Sequence, residues 1–217
     1  MAFLWGAAVA VLISIVLEMA IGSSLLGESP GAEATASFAT AAVTAPLVEE
    51  FAKGLFLVVM MTGRRRAELN TLTDCLVYAG LVGAGFAWLE NIFYIANGES
   101  VGSSLAVAAL RLVLGPFAHP LFTTMFGIGV YVALQQRNAV ARAACLLAGY
   151  AAAAVMHGLW NGSALMGAQA YLGVYVVWMM PIFALAVILA VASRRRERHI
   201  IGAQLPPMVA TGLLTPA

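Results

Sequence analysis

Two adjacent carboxylates, Glu49 and Glu50, sit near the middle of an apolar stretch, TAPLVEEFAKGLFLVVMM (residues 44–61), with Lys53 close behind them. A carboxylate can act as general base towards water. At about 100° per residue, Lys53 projects between Glu49 (i, i+4) and Glu50 (i, i+3), so one carboxylate can pair with it while the other points elsewhere. Further along the chain, Glu90, Arg111, His119, His157 and Asn161 also fall inside apolar runs. Carboxylates plus imidazoles are a ligand set for zinc, with water completing a catalytic site and a further carboxylate free to serve as base. An ionisable group at membrane depth costs about 3 kcal/mol on insertion scales, and such groups normally face the bundle interior at functional sites.

The elements that must carry these groups are helices. Of 217 residues, 62% are hydrophobic and 10% charged, where a soluble domain carries about a quarter charged residues. Apolar stretches long enough to span recur along the chain, and in lipid only a helix satisfies its own backbone. The reading is an all-α polytopic bundle of six spans, at 2–25, 38–62, 72–96, 103–134, 141–165 and 168–193. The fourth exceeds one straight crossing, so it must tilt, bend or project. Pro116 and Pro120 within it cannot donate backbone hydrogen bonds, which predicts a bend.

Nine of the eleven Lys and Arg residues lie at Arg64–Arg66, Arg137, Arg142, Arg194–Arg196 and Arg198, all in alternate loops or the tail. The opposite loops hold Glu28, Glu33 and Glu99 and no basic residue. By the positive-inside rule the basic side is cytoplasmic, and six crossings put both termini there. The net charge of +1 thus reflects membrane insertion and points to no nucleic-acid partner. The first segment lacks a basic n-region and is longer than a signal-peptide h-region, so it reads as an uncleaved span. Cys75 and Cys145, at cytoplasmic helix ends without metal-type spacing, read as free thiols. Residues 1–198 form one integral membrane domain with its motif core at 44–162, and 199–217 a flexible cytoplasmic tail.

Within the spans, Gly83, Ala87, Glu90 and Tyr94 share one stripe whose small residues let a neighbouring helix approach closely. Tyr150, His157 and Asn161 share a face of the fifth span, and Arg111, His119 and Thr123 lie on the fourth. Counted from the span ends, these groups can meet in one cavity, mid-membrane to outward-facing.

These residues resemble a known family. EEFAK is similar to the EExxK motif of PrsW-type intramembrane proteases, GFAWLEN, with Phe86 and Glu90, to their FxxxE element, and HGLWN to their late histidine. The wider Abi/CAAX-endopeptidase superfamily has the pattern EExxxR, FxxxH and HxxxN. Here Glu90 stands in place of the FxxxH histidine, while His157 and Asn161 fit HxxxN. The resemblance implies an intramembrane endopeptidase acting on membrane-anchored protein substrates in a bacterial-type plasma membrane, with an anti-sigma factor as the best-known target class. It implies Glu49 and Glu50 as catalytic carboxylates and Glu90, His119 and His157 as binding a metal or positioning water. Asn161 would be the oxyanion donor. Zinc is the expected metal where one is used, and a metal-free glutamic mechanism is the alternative.

Simpler readings stand beside these. Glu49, Glu50 and Lys53 can be a structural ion pair, and His119 a packing histidine. Arg111 reads as a buried counter-ion, and Glu18 as an interfacial residue near the outer end of the first span. A transporter would use the same intramembrane charges, although no inverted repeat is visible, and a non-catalytic scaffold would use the same bundle.

Overall fold

The computed structural model describes residues 1–25 and 37–215. The loop expected to carry Glu28 and Glu33 lies outside the described residues. Every regular element among the described residues is helical. We label them α1 (2–25), α2 (40–60), α3 (Leu72–Ala96), α4 (101–114), α5 (Ala118–Leu134), α6 (Ala139–Leu165) and α7 (168–210). Helices α1, α3, α6 and α7 are each long and apolar enough to cross a membrane, and α4 with α5 makes a fifth candidate. Helix α2 differs from these in carrying three ionisable side chains at its centre.

The ends of the helices follow local chemistry. Thr71 and Asp74 close a capping box at the start of α3, Ser100 and Ser103 another at the start of α4, and the Asn138 side chain caps α6. The fourth span breaks where expected. Helices α4 and α5 meet at 40° across Gly115–Phe117. The last turn of α4 widens to a π-type turn, Leu110–Leu114, and Gly115 N–H donates to the Leu110 carbonyl at 2.9 Å, one residue beyond the α-helical partner. The bend sets His119 in the first turn of α5.

Close helix contacts hold the bundle together. A Cβ on Gly83 would meet the His119 carbonyl at 2.5 Å, so the small stripe of α3 brings the α5 backbone against it. A Cβ on Gly158 would meet the Ala42 carbonyl at 2.4 Å, which fixes α6 against α2 between His157 and Asn161. One apolar cluster, including Leu57, Ala79, Val82, Phe126 and Val130, fills the end of the bundle where α2 terminates. A second, around Phe122, Met156, Trp160 and Met179, joins α5 and α6 to α7. The titratable groups lie between these clusters.

Helix α7 does not stop at the expected end of its span. It continues through Arg194–Arg198 to Ala210, and Thr73 Oγ1 donates to Glu197 Oε1 at 2.6 Å, tying it to the start of α3. The segment read as a tail from His199 is therefore helical through Ala210. Cys75 and Cys145 are free.

Candidate active site

Lys53 is the hub. It is fully buried, and its ammonium lies 3.1 Å from Glu49 Oε2, 2.9 Å from Glu50 Oε1 and 2.9 Å from His119 Nδ1. The Phe86 ring covers the same ammonium, with the nitrogen 3.7 Å from the ring centroid. This Phe is the one four residues before Glu90 on α3, so the FxxxE spacing places an aromatic lid and a carboxylate on one helix face.

The hydrogen bonds fix both imidazole tautomers. An ammonium only donates, so His119 Nδ1 accepts and the proton sits on Nε2, which donates to Glu90 Oε2 at 2.7 Å. His157 Nδ1 lies 3.1 Å from Glu50 Oε1, and a carboxylate only accepts, so that nitrogen carries the proton. Its Nε2 is then an acceptor for Asn161 Nδ2 at 3.2 Å. The Asn161 amide also donates to the Ala41 carbonyl at 3.0 Å, which anchors α6 to α2. The His157 ring stacks on Phe122 at 4.8 Å and is completely buried.

The two adjacent glutamates have different surroundings. Glu50 is 1% exposed; its Oε1 is shared by Lys53 and His157, and its Oε2 receives Thr123 Oγ1 at 3.2 Å. Glu49 is 6% exposed and is held through Oε2 alone, by Lys53. Glu90 is bound by the Arg111 guanidinium as well as by His119. Arg111 also donates from Nε to Asn91 Oδ1 at 2.6 Å and lies over the Tyr94 ring, so it is the counter-ion the sequence suggested, with Glu90 as its partner.

Glu49, Glu50, Glu90, His119, His157 and Asn161 thus come together from α2, α3, α5 and α6. One further group was not legible in the sequence. Glu18, read as interfacial, lies within electrostatic reach of Glu49, Glu90, His157 and Lys53, and its Oε1 is buried without a hydrogen-bond partner. Its only sequence signal is Ser14 one turn earlier, a second polar side chain on the same face of an apolar helix. A cavity of about 480 Å³ opens onto the site, lined by Tyr94, Arg111, His119, Trp160, Asn161 and Tyr171 among others.

The donor chemistry fits a zinc-type ion. Glu49, His119 and His157 each offer one ligand atom, all within 4.8 Å of one another, and one carboxylate with two imidazoles is an established zinc set. The charge balance agrees in sign: Glu49, Glu50 and Glu90 carry one more formal charge than Lys53 and Arg111 balance when the imidazoles are neutral. Glu49, rather than Glu90, is the carboxylate that converges with the two histidines. Glu90 stands behind His119 on the opposite ring nitrogen, the position from which a carboxylate orients an imidazole ligand.

The sequence profile of the family described as "PrsW family intramembrane metalloprotease" matches residues 1–186. The chain is also 37% identical over 100 residues to Protease PrsW of Geobacillus kaustophilus (strain HTA426); the match covers 46% of this chain and 38% of that protein. No solved structure matches.

Proposed function

Because the chain belongs to the PrsW family of intramembrane metalloproteases, we propose that it hydrolyses peptide bonds of membrane-anchored proteins at the site built on Glu49, His119, His157 and Asn161. The observation that carries this reading is the convergence of one carboxylate and two imidazoles beside a cavity open to a peptide. Glu49, His119 and His157 would hold a zinc-type ion once Lys53 and Asn161 release the imidazole nitrogens they now donate to, which would also free one Asn161 N–H; the ion supplies a water of lowered pKa when bound. Around it the chain's own groups divide the work. Glu49 would face the ion through one oxygen only; its other oxygen, outside the hydrogen-bond network, takes the proton from water. Glu50 holds His157 and Lys53 in place, and Glu90 holds His119. The Asn161 amide, at the cavity wall, donates to the carbonyl oxygen as it gains charge; its removal should cost about a hundred- to a thousandfold in rate. The kinship to the Abi/CAAX pattern rests on His157 and Asn161. We assign the substrate to the anti-sigma-factor class, and the protein to a bacterial plasma membrane, by likeness to the family.

The test is cleavage of a single-span substrate by the purified protein, with metal content measured on the same sample. Wild type should cleave and carry close to one equivalent of metal, and His157→Ala should lose both. A wild-type protein free of metal that cleaves undiminished by chelator would remove the ion from this reading and leave the carboxylate mechanism. A His157→Ala variant that cleaves at the wild-type rate would remove the site.

We also propose that α2 is a sixth span and that both termini are cytoplasmic, from the one-sided placement of the nine basic residues. A cysteine placed at Ser100, between α3 and α4, should react with an impermeant reagent added outside. Labelling from the cytoplasmic side alone would reverse the topology.

A further inference from the structure

Among the described residues, two buried side-chain polar atoms lack a hydrogen-bond partner, Ser14 Oγ and Glu18 Oε1. They sit four residues apart, so they share one face of α1. Ser14 is 3% exposed. A buried hydroxyl or carboxylate oxygen without a partner is costly, and in folded proteins such atoms are ordinarily served by an ordered water. The same face continues outward to Gly22, where nothing among the described residues lies within 4 Å of the position a Cβ would take. Inward it becomes dry: Ala10 and Val11 pack with Ala52 and Phe86, and Phe86 is the ring that covers Lys53. The polar part of the face therefore ends beside the carboxylates of α2 and α3.

Hydrolysis consumes one water for each bond broken, and the hydrocarbon region supplies little. The cavity bounded by His119 and Asn161 is the space a substrate must fill. Once filled, it no longer admits water, so an entrance on another side is needed. We propose that Ser14 and Glu18 hold a file of water molecules between α1 and the α2–α3 face, through which hydrolytic water reaches Glu49 while substrate occupies the cavity. The proposal rests on the hydrolytic reading of the site, and Glu18 acts in it as a positioning residue for water. Its carboxylate is within electrostatic reach of Glu49, as a file that delivers water there requires. A water bridging two polar groups is nearly as favourable as a direct hydrogen bond, so an ordered file is compatible with a stable helix interface.

Two measurements separate this route from the catalytic reading. In a full-length background carrying Cys75→Ala and Cys145→Ala, single variants Ser14→Cys, Glu18→Cys and Ala10→Cys are treated with 2-aminoethyl methanethiosulfonate, a small water-borne thiol reagent. Ser14→Cys and Glu18→Cys should react at least about tenfold faster than Ala10→Cys, whose site is dry. Ser14→Cys differs by one atom from wild type and needs no repacking. If it reacts no faster than Ala10→Cys, the route is absent, whatever the protein's activity. In the second measurement, Glu18→Gln keeps a water-binding group and should cleave near the wild-type rate. Glu18→Leu should lower kcat about three- to tenfold, the equivalent of one lost hydrogen bond, with KM unchanged. Fast labelling combined with undiminished kcat in Glu18→Leu would show water that the reaction does not use, and would overturn the supply role.

Discussion

Glu49→Gln should leave a folded, inserted protein that cleaves about a hundred- to ten-thousandfold more slowly, the loss expected when a general base is removed. Its stability should stay close to wild type. Only one of its oxygens is hydrogen-bonded, to Lys53, and a Gln carbonyl still accepts there. The neighbouring substitution should behave differently. Glu50 serves Lys53, His157 and Thr123 at once, so Glu50→Gln weakens charge-assisted bonds on three helices. It should lose about 2–3 kcal/mol of stability together with activity. Thermal unfolding and single-turnover cleavage on the same preparations separate the two roles. If Glu49→Gln cleaves at the wild-type rate while Glu50→Gln is fully stable and inactive, the assignments of base and support must be exchanged.

Lys53→Met should be the most destabilising single substitution in the site. The ammonium is fully buried and is the only cation bonded to Glu49 and Glu50 among the described contacts. Removing one partner of a buried charge pair leaves an uncompensated charge and typically costs about 3–5 kcal/mol. Here two carboxylates, 3.1 and 2.9 Å from the one missing charge, would face each other. Lys53→Arg should not rescue the fold well, because a planar guanidinium does not fit three acceptors gathered around a single nitrogen. A Lys53→Met protein with wild-type thermal stability would refute the pairing.

Much of this arrangement was legible because helical periodicity is strong. The spacing of Glu49, Glu50 and Lys53 fixes their mutual contacts within one helix, and the observed pairing has both carboxylates on the ammonium where one was expected. His157 and Asn161, four residues apart, were readable in the same way, and Pro116 placed the bend between α4 and α5. What a single helix cannot reveal is rotation relative to its neighbours. Glu18 lies near the end of an otherwise apolar span, where an interfacial place is the simplest reading, and only the packing of α1 on α2 and α3 turns it inward. The choice between Glu49 and Glu90 as the carboxylate beside both imidazoles is likewise a matter of tertiary distance. Arg111 draws Glu90 towards Tyr94 and Asn91, and no sequence spacing links residues 20 apart on two helices. The helical course of α7 beyond Arg198 was missed because Pro206 and Pro207 read as helix breakers, yet the helix runs through both.

Helix α2 finds its partners late in synthesis. The contact between Glu50 and His157 spans 107 residues. At about 5–20 residues per second, the ribosome needs about 5–20 s to deliver α6 after α2 has emerged. With α2 as the proposed sixth span, it carries during that interval three ionisable groups that later helices have not yet covered, each costing about 3 kcal/mol at the bilayer centre. The contacts within α2 ease this wait. Lys53 reaches both carboxylates from its own helix, so the segment enters the membrane with one net negative charge rather than as three isolated ions. The lysine that centres the finished site is thus also what lets its helix be inserted before the site exists. A variant lacking it should be recognised as defective by the insertion and quality-control machinery before it has a chance to be an inactive enzyme.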